Sequence, residues 1–286
     1  MADAGTDDRT RHTLLWLRRV RNLPPFPPVV REALATLEDD RSSALDIARI
    51  IGKDEAIAAR VLRLVNSAFY GVRGKATTIS RAVTLLGFEQ IRTLMIGAAL
   101  FDQTWARDRV AEHNRRMLWE HAIACARWAQ ELAVLTRYEQ LDEASLAGLL
   151  HDVGKIALGV SSPGEFAASV ALSQSEGIPS CEAEDRVLGI DHLETGRMVS
   201  EHWRLPAMVR GAVVLHHGPW PPLIDEFTPE PQRLRHLLAI VRVANDASKQ
   251  SLSERPLGED AGVFQMAISA EELIERALQV DVLLAG

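Results

Sequence analysis

The chain has 286 residues and a net charge of −7, with 47% hydrophobic and 25% charged residues, a composition that excludes wholesale disorder and argues against a nucleic-acid footprint over the whole surface. Aromatic residues make up only 5%, too few for a stacking platform for single strands. Two cysteines, Cys125 and Cys181, exclude a disulfide framework and a Cys-rich zinc site, whereas nine histidines stand out.

The N-terminus carries acids ahead of its basic residues and has no apolar core of signal-peptide type. No apolar run reaches the length of a membrane span. A cytoplasmic protein with reduced cysteines is expected. Apolar residues recur at three and four, and alternating runs are scarce, so the expected class is all-α. The first helix is predicted over about 8–20, closed by the breaker Leu-Pro-Pro-Phe-Pro-Pro28. The next spans about 28–38, and Ser43 with Asp46 forms a capping box for one ending near Gly52. Helices follow at about 54–69, 79–86 and 88–102, the last two parted by Gly87. The polar stretch Gln103–Asn114 is expected to bridge to a second set: about 115–135, 142–153, 163–176, 180–189, 192–203, 206–217 and 231–250. The segment Gly218–Gln232 holds five prolines and reads as a loop, as does 251–268. Ser269 and Glu272 cap a last helix over about 270–284.

His151 and Asp152 end the apolar run Leu146–Leu150. A charged pair there is costly to bury unless something offsets it, and metal coordination is one solution. Adjacent helical residues point about 100° apart, so other helices must supply further ligands. His121 lies on the stripe Leu118, Ala122, Cys125, Ala129, Leu132. His192 opens a helix, with Gly196 placed to admit another backbone. His216 continues the stripe of Val209 and Val213, beside His217. Asp246 follows Val243 and Ala239 in an apolar helix. These seven residues could converge in a bundle core, where imidazole and carboxylate suit zinc, iron or manganese. Taken singly, a histidine on an apolar stripe is more often a hydrogen-bonded core residue than a ligand, and it is the ordered set of seven that points to a metal. Lys155 could hold a phosphate or be a solvated helix-terminal cation. His12, His113, His202 and His236 lie in polar or amphipathic surroundings and read as incidental.

Leu-Trp-Glu-His121, Gly-Leu-Leu-His-Asp-Val-Gly-Lys155, His192-x-x-x-Gly196, His216-His217 and Ala-Asn-Asp246 resemble the HD superfamily of metal-dependent phosphohydrolases. Leu-Pro-Pro-Phe-Pro27, the run Ala59–Gly71 and Ala82–Gly87 narrow the match, which resembles the HDOD domain, a bacterial signalling relative of the HD and HD-GYP families. The resemblance covers about residues 20–250. It implies an HDOD domain (21–250), with the N-terminal helix (1–20) and the C-terminal loop and helix (251–286) lying outside the resemblance. Within the domain it implies a helical lobe (21–103) packed on an HD-like bundle (114–250). It further implies two divalent ions sharing Asp152, one on His121, His151 and Asp246, the other on His192, His216 and His217. Lys155 would neutralise a phosphate oxygen.

Two functions follow from the resemblance. One is a regulatory module acting by binding a ligand, a metal or a signalling partner, with a cyclic dinucleotide or other phosphate compound as the ligand class. The other is a metal-dependent phosphohydrolase or cyclic-nucleotide phosphodiesterase. The chain departs from the HD-GYP pattern at Gly218-Pro219-Trp220, where the Gly-Tyr-Pro signature is missing. It departs again at Met117, where trinuclear members carry an acid. A third reading is DNA binding by the helices about 44–52 and 54–69, with Arg60, Arg63, Arg73, Lys75, Arg81 and Arg92 on phosphates. The acidic net charge favours a solvated basic face over that reading. Asn66 and Ser67 are expected to make hydrogen bonds between helices, and input is expected from a separate protein or a small molecule.

Overall fold

A computed structural model describes residues 15–16, 18–20, 27–37, 41–66, 76–100, 109–218, 224, 227–253 and 269–285. The described residues are helical or in turns, with no strand among them, so the fold is all-α. The chain divides into two units: one holds Pro25–Asp102 and Lys249–Leu273, the other Met1–Pro24, Gln103–Ser248 and Ile274–Gly286. Among the described residues no helix is long and apolar enough to cross a membrane.

The smaller unit begins with α1 (Pro28–Leu37), α2 (Ala44–Ile51) and α3 (Glu55–Val65). Ser43 and Asp46 close the reciprocal capping box expected from the sequence. Asp54 caps α3 by accepting from the Ile57 amide at 3.0 Å. Ile47, Ile50, Ile51, Ile57, Val61 and Val65 recur at helical spacing and are buried. That apolar seam faces the core of the smaller unit. Helix α4 (Ile79–Leu100) carries a non-helical residue at Gly87, with φ of 81° and ψ of 168°. Only glycine takes that backbone without penalty, and the break stands where the sequence placed it. Asn66 pins the backbone of Ala76 in both directions, its Nδ2 donating to the carbonyl at 2.8 Å and its Oδ1 accepting from the amide at 2.7 Å. The expected link between helices is thus a clamp on the start of the next segment. Ser67, Arg73 and Lys75 lie outside the described residues.

The larger unit contains α5 (Arg109–Leu135), α6 (Leu141–Leu150), α7 (Val153–Ser161), α8 (Pro163–Glu176), α9 (Ser180–Leu188), α10 (His192–His202), α11 (Ala207–Leu215) and α12 (Pro231–Ser253). Helix α12 runs on past the unit boundary, and α13 (Ala270–Ala285) enters the unit at Ile274. Two helical outcomes differ from the sequence reading. Helix α5 starts six residues before the predicted 115, inside the expected bridge. Helix α7 was not foreseen, because Gly154 and Gly159 make Val153–Ser161 a poor helix on propensity. Packing explains the first of these glycines. A Cβ at Gly154 would stand 1.9 Å from the His192 carbonyl oxygen and 2.7 Å from the Gly196 amide nitrogen. A Cβ at Gly196 would likewise crowd α11, at 2.6 Å from Val213 Cγ1. The backbones of α7 and α10 therefore touch, and this contact sets the ends of both helices where the histidines and Asp152 lie. Most of the first predicted helix, 8–20, lies outside the described residues. Within it, Trp16 is buried, its indole N–H donates to the Leu188 carbonyl at 3.4 Å, and Arg19 donates to Ser162 Oγ at 2.7 Å.

Candidate metal centre

Asp152 is the hub of the larger unit. It lies between α6 and α7, where the chain turns so that His151 and Asp152 leave the helix end toward one buried space. Its two carboxylate oxygens face different partners. Oδ2 lies 3.6 Å from His121 Nε2 and 3.5 Å from His151 Nε2. Oδ1 lies 3.4 Å from His192 Nε2 and 3.5 Å from His216 Nε2. His217 completes the second side, its Nε2 lying 3.1 Å from that of His192. Lys155, one turn into α7, donates to Oδ2 at 2.8 Å. His151, His192 and His216 are fully buried, and Asp152 and His121 nearly so.

The hydrogen bonds behind the imidazoles fix which nitrogen carries the proton. His151 Nδ1 donates to the Gly148 carbonyl at 2.7 Å. His216 Nδ1 donates to the Ala212 and Val213 carbonyls at 3.2 and 3.1 Å. Glu184 Oε2 accepts from both the backbone N–H and Nδ1 of His192, at 2.8 and 2.6 Å. Ser248 spends its hydroxyl proton on the Asn245 carbonyl, so it accepts from His121 Nδ1 at 3.0 Å. All four rings therefore turn an Nε2 lone pair toward Asp152. His121 Nε2 and His151 Nε2 are only 3.2 Å apart, a separation that a proton or a metal ion between the two nitrogens satisfies. Asp152 Oδ1 and His216 Nε2 are buried with no hydrogen-bond partner, a costly state that a cation would relieve.

Electrostatics point the same way. Burial pushes His151 down to about 4, His217 down to about 2, and His216 downward as well, keeping these rings neutral. Burial alone would raise the Asp152 carboxyl, but Lys155 and then the surrounding histidines hold it well below the usual carboxylate range. Burial would lower Lys155, yet Asp152 more than offsets this and the ammonium stays charged. Neutral imidazoles around an ionised carboxylate are the protonation states that metal ligation requires. Among the described residues, three groups could hold a metal ion: His121, His151 and Asp152; Asp152, His192 and His216; and Cys181, His192 and His217.

Six of the seven proposed ligands thus come together, and Asp246 does not. It is exposed, on the arc of α12 that carries Arg242, Lys249 and Gln250, while its neighbour Asn245 is buried. A step of one residue turns a helical side chain by about 100°, and Val243 and Ala239 mark the edge of the buried arc rather than its centre. Glu184, Ser248, Asn245 and Cys181 were missed. The signal available for Glu184 was a carboxylate flanked by buried Ala183 and Leu188 in a mostly polar helix. Among the incidental histidines, His202 is exposed and His236 bonds Thr136 at 3.0 Å, away from the cluster, while His12 and the side chain of His113 lie outside the described residues.

The HDOD domain model matches residues 23–219. An uncharacterised protein of Treponema pallidum is 25% identical over 276 residues, covering 89% of this chain, and this chain spans about half of that protein's length (51%). A solved HDOD domain protein of unknown function from Geobacter sulfurreducens is 24% identical, with a TM-score of 0.67 over 98% of this chain and 93% of that one. A Shewanella amazonensis protein named "Putative phosphohydrolase" is 23% identical, with a TM-score of 0.65 over 94% of this chain and 88% of that one. Both structures share the helical fold, and the family match spans the smaller unit's main segment and all of the cluster except Ser248 and Asn245. The chain belongs to the HDOD domain family.

Proposed function

We propose that this chain is a bacterial signal-transduction module whose Asp152 centre binds divalent metal ions and, through them, a phosphate-bearing ligand or a partner protein. The observation that carries the reading is the arrangement around one carboxylate: each oxygen faces a pair of imidazole Nε2 lone pairs, with two buried polar atoms left unsatisfied. His121, His151 and Asp152 Oδ2 would hold one ion; His192, His216, His217 and Asp152 Oδ1 would hold the other. A set of nitrogen donors with one shared carboxylate suits zinc, iron or manganese better than calcium or magnesium. The lack of a membrane-length helix among the described residues and the reduced state expected of both cysteines fit a cytoplasmic setting. The test is elemental analysis of the purified protein beside His151→Ala and Asp152→Ala. The expected result is one or two ions per chain, lost in both variants. A wild-type protein that stays metal-free after reconstitution would overturn the reading.

Lys155 favours a second reading, metal-dependent phosphohydrolysis. Its ammonium is charged, largely buried and anchored on the bridging carboxylate, positioned to meet a phosphate oxygen. Bound divalent ions would supply Lewis acidity and an activated water. With Asp246 at the surface, the first set offers three protein donors, the number that leaves a position open in catalytic zinc sites. Turnover on a phosphodiester panel, abolished by Asp152→Ala, selects this reading; metal-bound protein that binds nucleotides without turnover selects the first.

A further inference from the structure

We infer that Cys181 is a ligand in the second half of this centre, which makes that half a thiolate site selective for softer divalent ions, zinc above all. The inference rests on the reading of the Asp152 centre as a metal site. Cys181 is the second residue of α9, and its Sγ lies 3.7 Å from Nδ1 and 3.9 Å from Nε2 of His192. Glu184, one turn later on the same helix, occupies His192 Nδ1. A cation shared by sulfur and His192 must therefore use Nε2, which lies 3.1 Å from His217 Nε2 and 3.4 Å from Asp152 Oδ1. In a tetrahedral zinc site, bonds of about 2.0–2.3 Å set ligand–ligand edges of roughly 3.3–3.6 Å. The separations observed here, 3.1, 3.4 and 3.9 Å, lie around those edges before any ion has drawn the ligands in.

Two further atoms approach the same His192 Nε2 from the other side, in a group made of Asp152, His192 and His216 that shares His192 with the group of Cys181, His192 and His217. Asp152 Oδ1 and His216 Nε2 belong to side chains that are 6% and 1% exposed and have no hydrogen-bond partner. The first half of the centre has only imidazole and carboxylate within reach, so the two halves differ in softness. On binding, the S–H bond breaks, a sulfur–metal bond forms, and the thiol proton leaves to solvent. The second half would then fill preferentially with zinc and the first with manganese or iron.

Cobalt(II) reports sulfur ligation directly. It is added to metal-free full-length protein, to Cys181→Ser and to Cys125→Ala, whose thiol lies in α5. The wild type and Cys125→Ala are expected to show visible d–d bands and a near-ultraviolet sulfur-to-cobalt charge-transfer band. Cys181→Ser is expected to keep d–d bands, lose the charge-transfer band and bind zinc roughly tenfold or more weakly. Wild-type protein with d–d bands and no charge-transfer band would overturn the Cys181 assignment while the centre stands. No cobalt uptake at all would overturn the centre itself. The wild-type spectrum decides even if Cys181→Ser fails to fold.

Discussion

Gly154→Ala is the sharpest probe of how the helices build the centre. The added methyl would stand 1.9 Å from the His192 carbonyl oxygen, about 1.1 Å inside the 3.0 Å that real contacts respect. The obstacle is backbone on both sides, since the Gly196 amide nitrogen is only 2.7 Å away, so no rotamer change relieves it. Helices α7 and α10 must part by about an ångström. Overpacking of this kind costs roughly 1–3 kcal/mol, and the upper end applies where nothing flexible can yield. The displaced carbonyl belongs to His192 itself, so the strain falls on a side chain facing Asp152. Gly164→Ala provides the contrast: nothing lies within 4 Å of its added methyl, and it sits exposed in the first turn of α8. That change should be neutral or stabilise by up to about 0.5 kcal/mol. Urea unfolding measures both, read at the midpoint with the slope unchanged. Zinc titration should show Gly154→Ala weakened about tenfold or more and Gly164→Ala unaltered. Equal stabilities for the two variants, or a loss below about 0.5 kcal/mol for Gly154→Ala, would refute the close-approach reasoning.

Asp246→Ala should leave zinc affinity within about twofold, because the side chain lies on the solvent arc, while Asp152→Ala abolishes binding; equal losses in calorimetric titration would put Asp246 back at the centre. Lys155→Met strands a buried carboxylate and should destabilise the metal-free protein by about 3 kcal/mol, with added zinc restoring most of it; unchanged stability without metal would mean that the Lys155–Asp152 pair carries little weight. Ser248→Ala removes the acceptor behind His121 and should cut affinity of the first half roughly 10–100-fold, measured with manganese. Burial lowers His151 from 6.5 to about 4, so its stabilising effect is present above pH 6.5 and lost as the pH falls toward 4, on the order of 3 kcal/mol. His216 and His217 act in the same direction. Glu184, raised to about 7 chiefly by burial, and Asp191, raised by burial as well, act oppositely, gaining stability as pH falls, and two carboxyls do not offset four imidazoles with His236 included. Metal-free protein whose urea midpoint rises steadily from pH 6.5 to 4.5 would contradict this balance.

What could be read in advance followed periodicity. The stripes of α5 and α11 turned His121 and His216 inward because the apolar residues around them fix the buried arc within a few tens of degrees. Helix α12 defeated the same logic. Its buried arc is wide, from Leu237 to Val241 and again at Val243–Asn245, Ala247 and Ser248. Asp246 sits at the narrow polar gap, where one residue decides between core and solvent. Arg242 four residues before and Lys249 three after were the available sign. Helix α7 was illegible because Gly154 answers to close contact with α10, a tertiary demand that overrides propensity. Ser248 meets His121 across 127 residues of chain, which no local pattern carries, whereas Glu184 and Cys181 reach His192 from the preceding helix, 8 and 11 residues away, through the turn that packs α9 beside α10.

The indole bond of Trp16 to Leu188 spans 172 residues of chain. At about 5–20 residues per second, a ribosome needs on the order of 10–30 seconds between making the two partners. For that interval the Trp16 indole lacks the Leu188 carbonyl that it bonds in the folded chain. The larger unit therefore cannot close from the N-terminus forward. Its maturation is timed by its late helices, for Ser248 reaches His121 later still.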